Sequence, residues 1–425
     1  MSSGSSFSPP RGMRDFYPEE MAAQNVILRT WRSVSESFGF EEYDACIVEN
    51  LDLLKRKSGE DIVKQIYAFE DKSGRELALR PEMTPTLARM IAARQGALAM
   101  PLKWYTIAQC FRYERMTRGR RREHYQWNMD IVGEPSVSAE AEVITAVCAA
   151  LSRLGLSPTD FVVRINDRAL VAAVLASLGV DAAYHATMFL VLDKRDKTDD
   201  LAALLDNANL PPDAVQAVDQ LAALRSLDDV ARLIGEDAAP IQSLRELIKL
   251  LELSGLTKSV AFDMSVVRGL DYYTGIVFEG NDAKADMRAI FGGGRYDNLL
   301  KAVGGKPASG VGLGFGDVVI HDLLADKNLL PGAAPVLDVA IGYMGIEQRS
   351  IATGIASTMR AAGSSVDLGL HPEKAKQFFS RVGNGRARQA IFLGPDDLAA
   401  GEYRIKNLED RTEKVVPFSA LSPSD

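Results

Sequence analysis

Phe111-Arg112-Tyr113-Glu114-Arg115-Met116-Thr117-Arg118-Gly119-Arg120-Arg121-Arg122-Glu123-His124-Tyr125-Gln126 places six arginines within eleven residues of a chain that is otherwise net acidic. The stretches on either side, 104–113 and 127–132, carry apolar side chains at alternating positions and read as two strands of a long hairpin with a basic tip. A solvated tip is the plain reading of such a charge run. Two details argue for more. Period-two alternation puts Arg112 and Glu114 on one face of a strand, and Gln126 and Asp130 can point the same way from its partner. Arginine is also the natural clamp for phosphate oxygens, because its planar fork donates two charge-assisted hydrogen bonds at once. The segment therefore predicts a phosphate-rich ligand held over a sheet.

Outward from the hairpin, a helix is expected over 19–38, with Pro18 near its first turn and Gly39 at its end. Short strands follow at 65–69 and 76–79, around a turn at 71–74. Ser138 is expected to cap a helix that Gly155 stops, and 161–166 reads as a buried strand. From 167 to 257 the pattern changes to short alanine- and leucine-rich helices, the mark of an inserted helical domain. Strand character returns at 260–264, before two glycine-dense stretches, Gly292-Gly293-Gly294-Arg295-Tyr296-Asp297 and 310–316. The Pro- and Gly-containing segment 331–335 reads as a linker. Beyond it, strands at 336–343, 366–370, 390–393, 403–407 and 414–417 interleave with helices at 349–361 and 374–382, which predicts a small α/β module.

Composition excludes several classes. At about 150 residues per domain, a chain of 425 residues holds several domains. With 47% apolar and 25% charged residues it has the balance of a globular protein. Its net charge of −8 confines any nucleic-acid-binding charge to local stripes. No apolar run approaches the roughly 18 residues that a membrane span needs. The opening MSSGSSFSPPRG lacks the apolar centre of a secretory signal and reads as a flexible arm. Cys46, Cys110 and Cys148 are too few and too scattered for a disulfide framework or a metal site, which suits a reducing cytoplasm. Neither glycine stretch has dinucleotide-binding spacing, and the chain has no P-loop, nucleophile elbow or zincin motif.

Two further segments carry chemistry. Val267-Arg268-Gly269-Leu270-Asp271-Tyr272-Tyr273-Thr274-Gly275 sets paired tyrosines beside an arginine, and Leu79-Arg80-Pro81-Glu82-Met83-Thr84-Pro85 presents Glu82 and Thr84 from a proline-fixed turn. Each is weak alone. Their order and spacing, with the arginine-rich hairpin and Gly292–Asp297, resemble the histidyl-tRNA synthetase family of class II aminoacyl-tRNA synthetases. The likeness runs from Pro10-Arg11-Gly12-Met13-Arg14-Asp15 to Gly394 and Lys406-Asn407, nearly the whole chain. It implies an α+β protein: an antiparallel-sheet catalytic domain in two parts (1–166 and 258–330), a helical insertion domain (167–257), and a C-terminal α/β anticodon-binding domain (335–425).

The resemblance also implies an activity, a histidine–tRNA ligase joining L-histidine to ATP and passing the histidyl group to tRNA-His. Arg112 and Arg268 would be catalytic, approaching the α-phosphate from opposite sides where related enzymes use a metal ion. Glu82, Thr84 and Gln126 would bind the α-ammonium group of histidine, with Tyr272 beside them, and Asp130 and Tyr273 its imidazole. Glu114 would meet the adenine amino group, Arg120 the outer phosphates, and His124 would take the place of an adenine-stacking phenylalanine. Mg2+ is expected with ATP; no dedicated metal-ligand cluster and no tightly bound cofactor are expected. The partners implied are ATP, L-histidine, tRNA-His and a second copy of the chain, with no membrane and a cytoplasmic location. Three departures remain: Asp130 where many relatives carry Glu, Cys46 for a proline in the dimer segment Cys46-Ile47-Val48-Glu49, and Val319 where most of the class has a γ-phosphate arginine. The last leaves two options, a substitute from the arginine-rich loop or weaker ATP binding. It also sustains a rival, a non-catalytic paralogue acting as the histidine-sensing regulatory subunit of ATP phosphoribosyltransferase. A generic RNA-binding protein is a more distant alternative.

Overall fold

A computed structural model describes residues 7–57, 65–195, 198, 200–269, 272–284, 287–330, 337–383 and 386–421. The start of the expected arm, the 331–335 linker, and Leu270 and Asp271 lie outside the described residues. Strands before the linker are β1 (Glu41–Glu42), β2 (Val48–Asn50), β3 (Tyr67–Glu70), β4 (Glu76–Leu79), β5 (Leu102–Phe111), β6 (Glu123–Val132), β7 (Phe161–Asp167), β8 (Val260–Phe262), β9 (Ile276–Asp282), β10 (Phe291–Arg295) and β11 (Gly310–Gly316). Eight of them form one sheet in the order β1-β5-β6-β11-β10-β9-β7-β8, and β2-β4-β3 form a small second one. Pairing in the large sheet is antiparallel except at its two ends, β1 with β5 and β7 with β8. The architecture is α+β.

Helices cover one face of this sheet. Pro18–Ser37 lays Trp31 against Trp127 of β6, centroids 5.8 Å apart, and against Phe315 of β11, 5.1 Å apart. Trp31 is fully buried, so truncating it to alanine would cost about 3–5 kcal/mol. The helix Ser138–Arg153 buries Val143, Ile144, Val147 and Leu151 at helical spacing in the same core. The helices between β7 and β8, from Arg168–Ser177 to Ala239–Leu253, contribute Val171, Val174, Val218, Leu244 and Leu247 to that core as well. The helical stretch and the sheet accordingly belong to one compact unit, made of Met1–Phe16 and Ala23–Pro331.

The second unit comprises Tyr17–Ala22 and Gly332–Asp425. Its strands β12 (Leu337–Tyr343), β13 (Val366–Leu368), β14 (Ala387–Leu393), β15 (Glu402–Asn407) and β16 (Glu413–Pro417) form one sheet in the order β13-β12-β14-β15-β16. The helices are Arg349–Ala361, which packs Ile355 on Val339 and Ile341, and Ala375–Val382, which packs Phe378 on Ala340 and Ala390. Alternation along β12 sends odd- and even-numbered residues to opposite helices, giving an α/β sandwich.

Two local expectations are corrected. The first hairpin strand ends at Phe111, so Arg112 and Glu114 do not share a strand face. The Glu114 amide instead donates to the Arg112 carbonyl at 2.8 Å, folding the chain sharply as it leaves the sheet. Ser138 does not cap its helix; it is the first helical residue, Val137 occupies the cap, and no side chain bonds there.

Candidate active site

The uncovered face of the large sheet floors a cavity of about 770 Å3. Antiparallel register builds that floor in rows. One row reads Asn128, Gly314, Gly292, Glu279 and Arg164 across β6, β11, β10, β9 and β7, and all five residues line the cavity. The glycine-dense stretches are therefore central strands, and their missing side chains form a trough. Arg268 lies in it: a Cβ on Gly292 would sit 2.2 Å from the guanidinium carbon. From there Arg268 Nη1 donates to Glu279 Oε2 at 2.6 Å. Burial alone would lower the basicity of Arg268, but the Glu279 carboxylate more than offsets it, so the group stays charged. Its backbone has φ of 57°, a left-handed conformation costing about 1–3 kcal/mol outside glycine and typical of residues held for function.

The next row pairs Asp130 of β6 with Gly312 of β11 and Gly294 of β10. Gly312 lets the Asp130 carboxylate approach: a Cβ there would stand 2.3 Å from Oδ1. The Tyr296 hydroxyl donates to that oxygen at 2.6 Å, while the buried Oδ2 has no partner among the described residues. Burial raises the Asp130 pKa to about 7, although the Tyr296 bond pulls it down.

The cavity wall comes from three places. Tyr272 donates to Glu82 Oε2 at 3.0 Å and packs beside Tyr273, centroids 5.0 Å apart. Thr84 opens the helix Thr84–Arg94, whose first turn Pro85 preforms, so the proline-bounded segment does present Glu82 and Thr84 to the cavity. The hairpin supplies the rest. Arg112 Nε donates to the Pro81 carbonyl at 2.8 Å, and Arg120 forms an ion pair with Glu114. Burial lowers the His124 pKa to about 3, aided by Arg112, so the ring is neutral and stands 3.2 Å from Gln126 Oε1. The hairpin tip is held down by Asp317–Asp326, where Gly119 N donates to Asp322 and Arg118 pairs with Asp326. At the start of that helix, buried Asp317 accepts from Arg14, at 3.0 Å, and from Gln24.

Glu82, Thr84, Arg112, Glu114, Arg120, His124, Gln126, Arg268, Tyr272 and Tyr273, drawn from three separate stretches of sequence, thus line one cavity. Asp130 is the exception: it shares the sheet face of Gln126 and Asn128 and lies over Gly312 beside Tyr296, both of which line the cavity, but it is buried short of the cavity itself. Sequence reasoning missed Tyr296, Glu279, Asn128 and Arg288 as cavity residues. A glutamate inside the apolar run of β9 was a readable signal for Glu279. Arg288 offered none.

The family model for histidyl-tRNA synthetase matches residues 12–316, the span that holds all of this cavity's lining except Val318 and Val319. The chain belongs to the histidyl-tRNA synthetase family. It is 40% identical to the chloroplastic/mitochondrial histidine–tRNA ligase of Arabidopsis thaliana over 97% of this chain and 86% of that one. The histidine–tRNA ligase of Opitutus terrae is 39% identical over 96% of this chain and 95% of its own length. In fold, the chain is similar to the crystal structure of histidyl-tRNA synthetase from Nostoc sp. PCC 7120, with a TM-score of 0.81 at 23% identity and 98% of both chains covered.

Proposed function

We propose that this protein is a histidine–tRNA ligase, an aminoacyl-tRNA synthetase that converts L-histidine and ATP to histidyl-adenylate and transfers the histidyl group to tRNA-His. The observation that carries this reading is that Arg112 and Arg268, distant in sequence, line one cavity with Glu82, Thr84, Gln126, Tyr272 and Tyr273. In the first step a carboxylate oxygen of histidine attacks the α-phosphorus, its bond to the bridging oxygen breaks, and pyrophosphate leaves. Charge grows on the α-phosphoryl and pyrophosphate oxygens. Fixed guanidiniums therefore stabilise the transition state more than the ground state. Arg112 supplies one of them, its terminal nitrogens having no partner among the described residues. Arg268 supplies the other, held in place by Glu279.

Glu82, Thr84 and Gln126 receive the α-ammonium group, with Tyr272 fixing Glu82. Tyr273 and the Asp130–Tyr296 pair face the imidazole. A pocket that hydrogen-bonds both ring nitrogens rejects apolar analogues by about 10⁴–10⁵, because its own polar groups would be left unpaired. Glu114, Arg120 and the neutral His124 take the adenine and phosphates. Among the described residues no group of three His, Cys, Asp or Glu is placed to hold a metal, and Glu114 and Glu279 are engaged by arginines. Mg2+ would accompany the ATP substrate and would offset part of the polyphosphate charge. Residues 335–425 serve the anticodon, the 167–257 helices face the acceptor arm, and the segment with exposed Ile47 and Val48 joins two copies into a homodimer. Among the described residues no helix is long and apolar enough to cross a membrane, and the free thiols Cys46, Cys110 and Cys148 suit a reducing cytoplasm.

Histidine-dependent exchange of pyrophosphate into ATP tests the reading. Exchange is expected with histidine and absent without it. Protein that binds histidine yet gives no exchange would instead be the regulatory paralogue.

A further inference from the structure

Six arginines line the cavity. Three have acidic partners: Arg120 with Glu114, Arg268 with Glu279, and Arg164 with Asp263. The other three have none among the described residues. Arg112 is tethered to the Pro81 carbonyl, and Arg121 makes long contacts of 3.4 and 3.5 Å to carbonyls of its own turn. Arg288 has no hydrogen bond or ion pair at all among the described residues, although it lines the cavity from the segment between β9 and β10. Its charge reaches across to the hairpin, where Arg288 and Arg112 both add to the burial and oppose Glu114 in lowering the basicity of Arg120. A group of mutually repelling guanidiniums is unfavourable until a polyanion enters among them.

Val319 cannot supply charge there. Its Cγ2 stands 3.1 Å from where a Cβ on Gly119 would be, so it packs under the hairpin tip and serves as an apolar support. The cavity therefore has Arg120 on the hairpin side and an exposed, uncommitted guanidinium on the opposite side.

We propose that Arg288 binds the outer phosphates of ATP opposite Arg120, supplying the cation that position 319 lacks. A long exposed side chain suits this role, because it can close on the polyphosphate after the nucleotide enters and release with pyrophosphate. This rests on the reading that the protein activates an amino acid with ATP.

The test compares wild-type protein with R288A and R288K, using ATP–pyrophosphate exchange kinetics and direct equilibrium titration with ATP and with AMP. For R288A the KM of ATP and of pyrophosphate should rise about tenfold, the scale of one lost charge-assisted hydrogen bond at a partly exposed site. The KM of histidine and the affinity for AMP, which has no outer phosphates, should stay within about twofold. R288K should recover part of the loss. A general structural defect would weaken AMP and histidine alike, and that result overturns the proposal. So does an R288A protein with wild-type affinity for ATP. If wild-type protein shows no exchange but R288A still weakens ATP and not AMP, the proposal stands and the enzymatic reading falls.

Discussion

Asp130 concentrates the physical chemistry of the proposed pocket in one carboxyl group. It is 1% exposed, one oxygen is bonded to Tyr296, and the other is bare. Burial shifts its pKa from 3.8 to about 7, against the pull of the Tyr296 bond and with help from Glu82. The folded protein therefore holds this proton more tightly than the unfolded chain does. Its contribution to stability is fully present below about pH 4 and is lost as pH rises through about 7. For binding the direction reverses, because the ionised group accepts an imidazole N–H more strongly than the protonated one. We expect the KM of histidine to fall as pH rises through about 7, over and above the titration of histidine itself. Asp130→Asn should raise the KM of histidine much more than that of ATP and leave only the substrate's own titration in the profile. Equal effects on both substrates would remove Asp130 from the imidazole site.

At the scale of the element, the trough in β10 and β11 brings a cation to the cavity floor, from a side chain laid flat on the strands. Glu279 on β9 holds that side chain from the far end, so the pair is a positioning device as well as a charge pair. Glu279→Gln keeps the shape but removes the counter-charge from the largely buried Arg268. A loss of about 3 kcal/mol in unfolding free energy is expected, with kcat falling more than the KM of either substrate. Denaturant titration beside exchange kinetics checks both; a variant with wild-type stability would show that Arg268 does not need Glu279. This arrangement was only partly legible in the sequence. Alternation identified β5 and β6, and the arginine run marked the tip between them. Period-two reasoning misplaced Arg112 and Glu114, because the turn at the strand end is set by backbone hydrogen bonds that residue types do not encode. The glycine strands could be refused as phosphate loops on spacing alone, but what fills the space over them depends on register between strands distant in sequence.

For the molecule as a whole, cavity and second unit are built on different cores. Every lining residue lies between Glu82 and Val319, whereas Ile341, Ile355 and Ile391 make the core beyond the linker. Ile391→Ala should destabilise that core by about 2–5 kcal/mol. On warming, transfer to tRNA-His should then be lost at a temperature where pyrophosphate exchange persists. Simultaneous loss of both activities would mean that the cavity depends on the second unit. The α/β character of that unit was readable from its alternating segments, whereas the shared core of the 167–257 helices and the sheet was not, since helical faces do not announce what they pack on.

The bare rows across β10 and β11 also limit how this pocket can evolve. A floor shaped by absent side chains has no small variants: each methyl added at Gly292 or Gly312 would occupy the volume of a guanidinium or a carboxylate. New ligand preferences in this lineage therefore have to be acquired elsewhere in the lining, as at Met287, Arg288 and Ala289, while the stretches that look most replaceable on paper stay frozen.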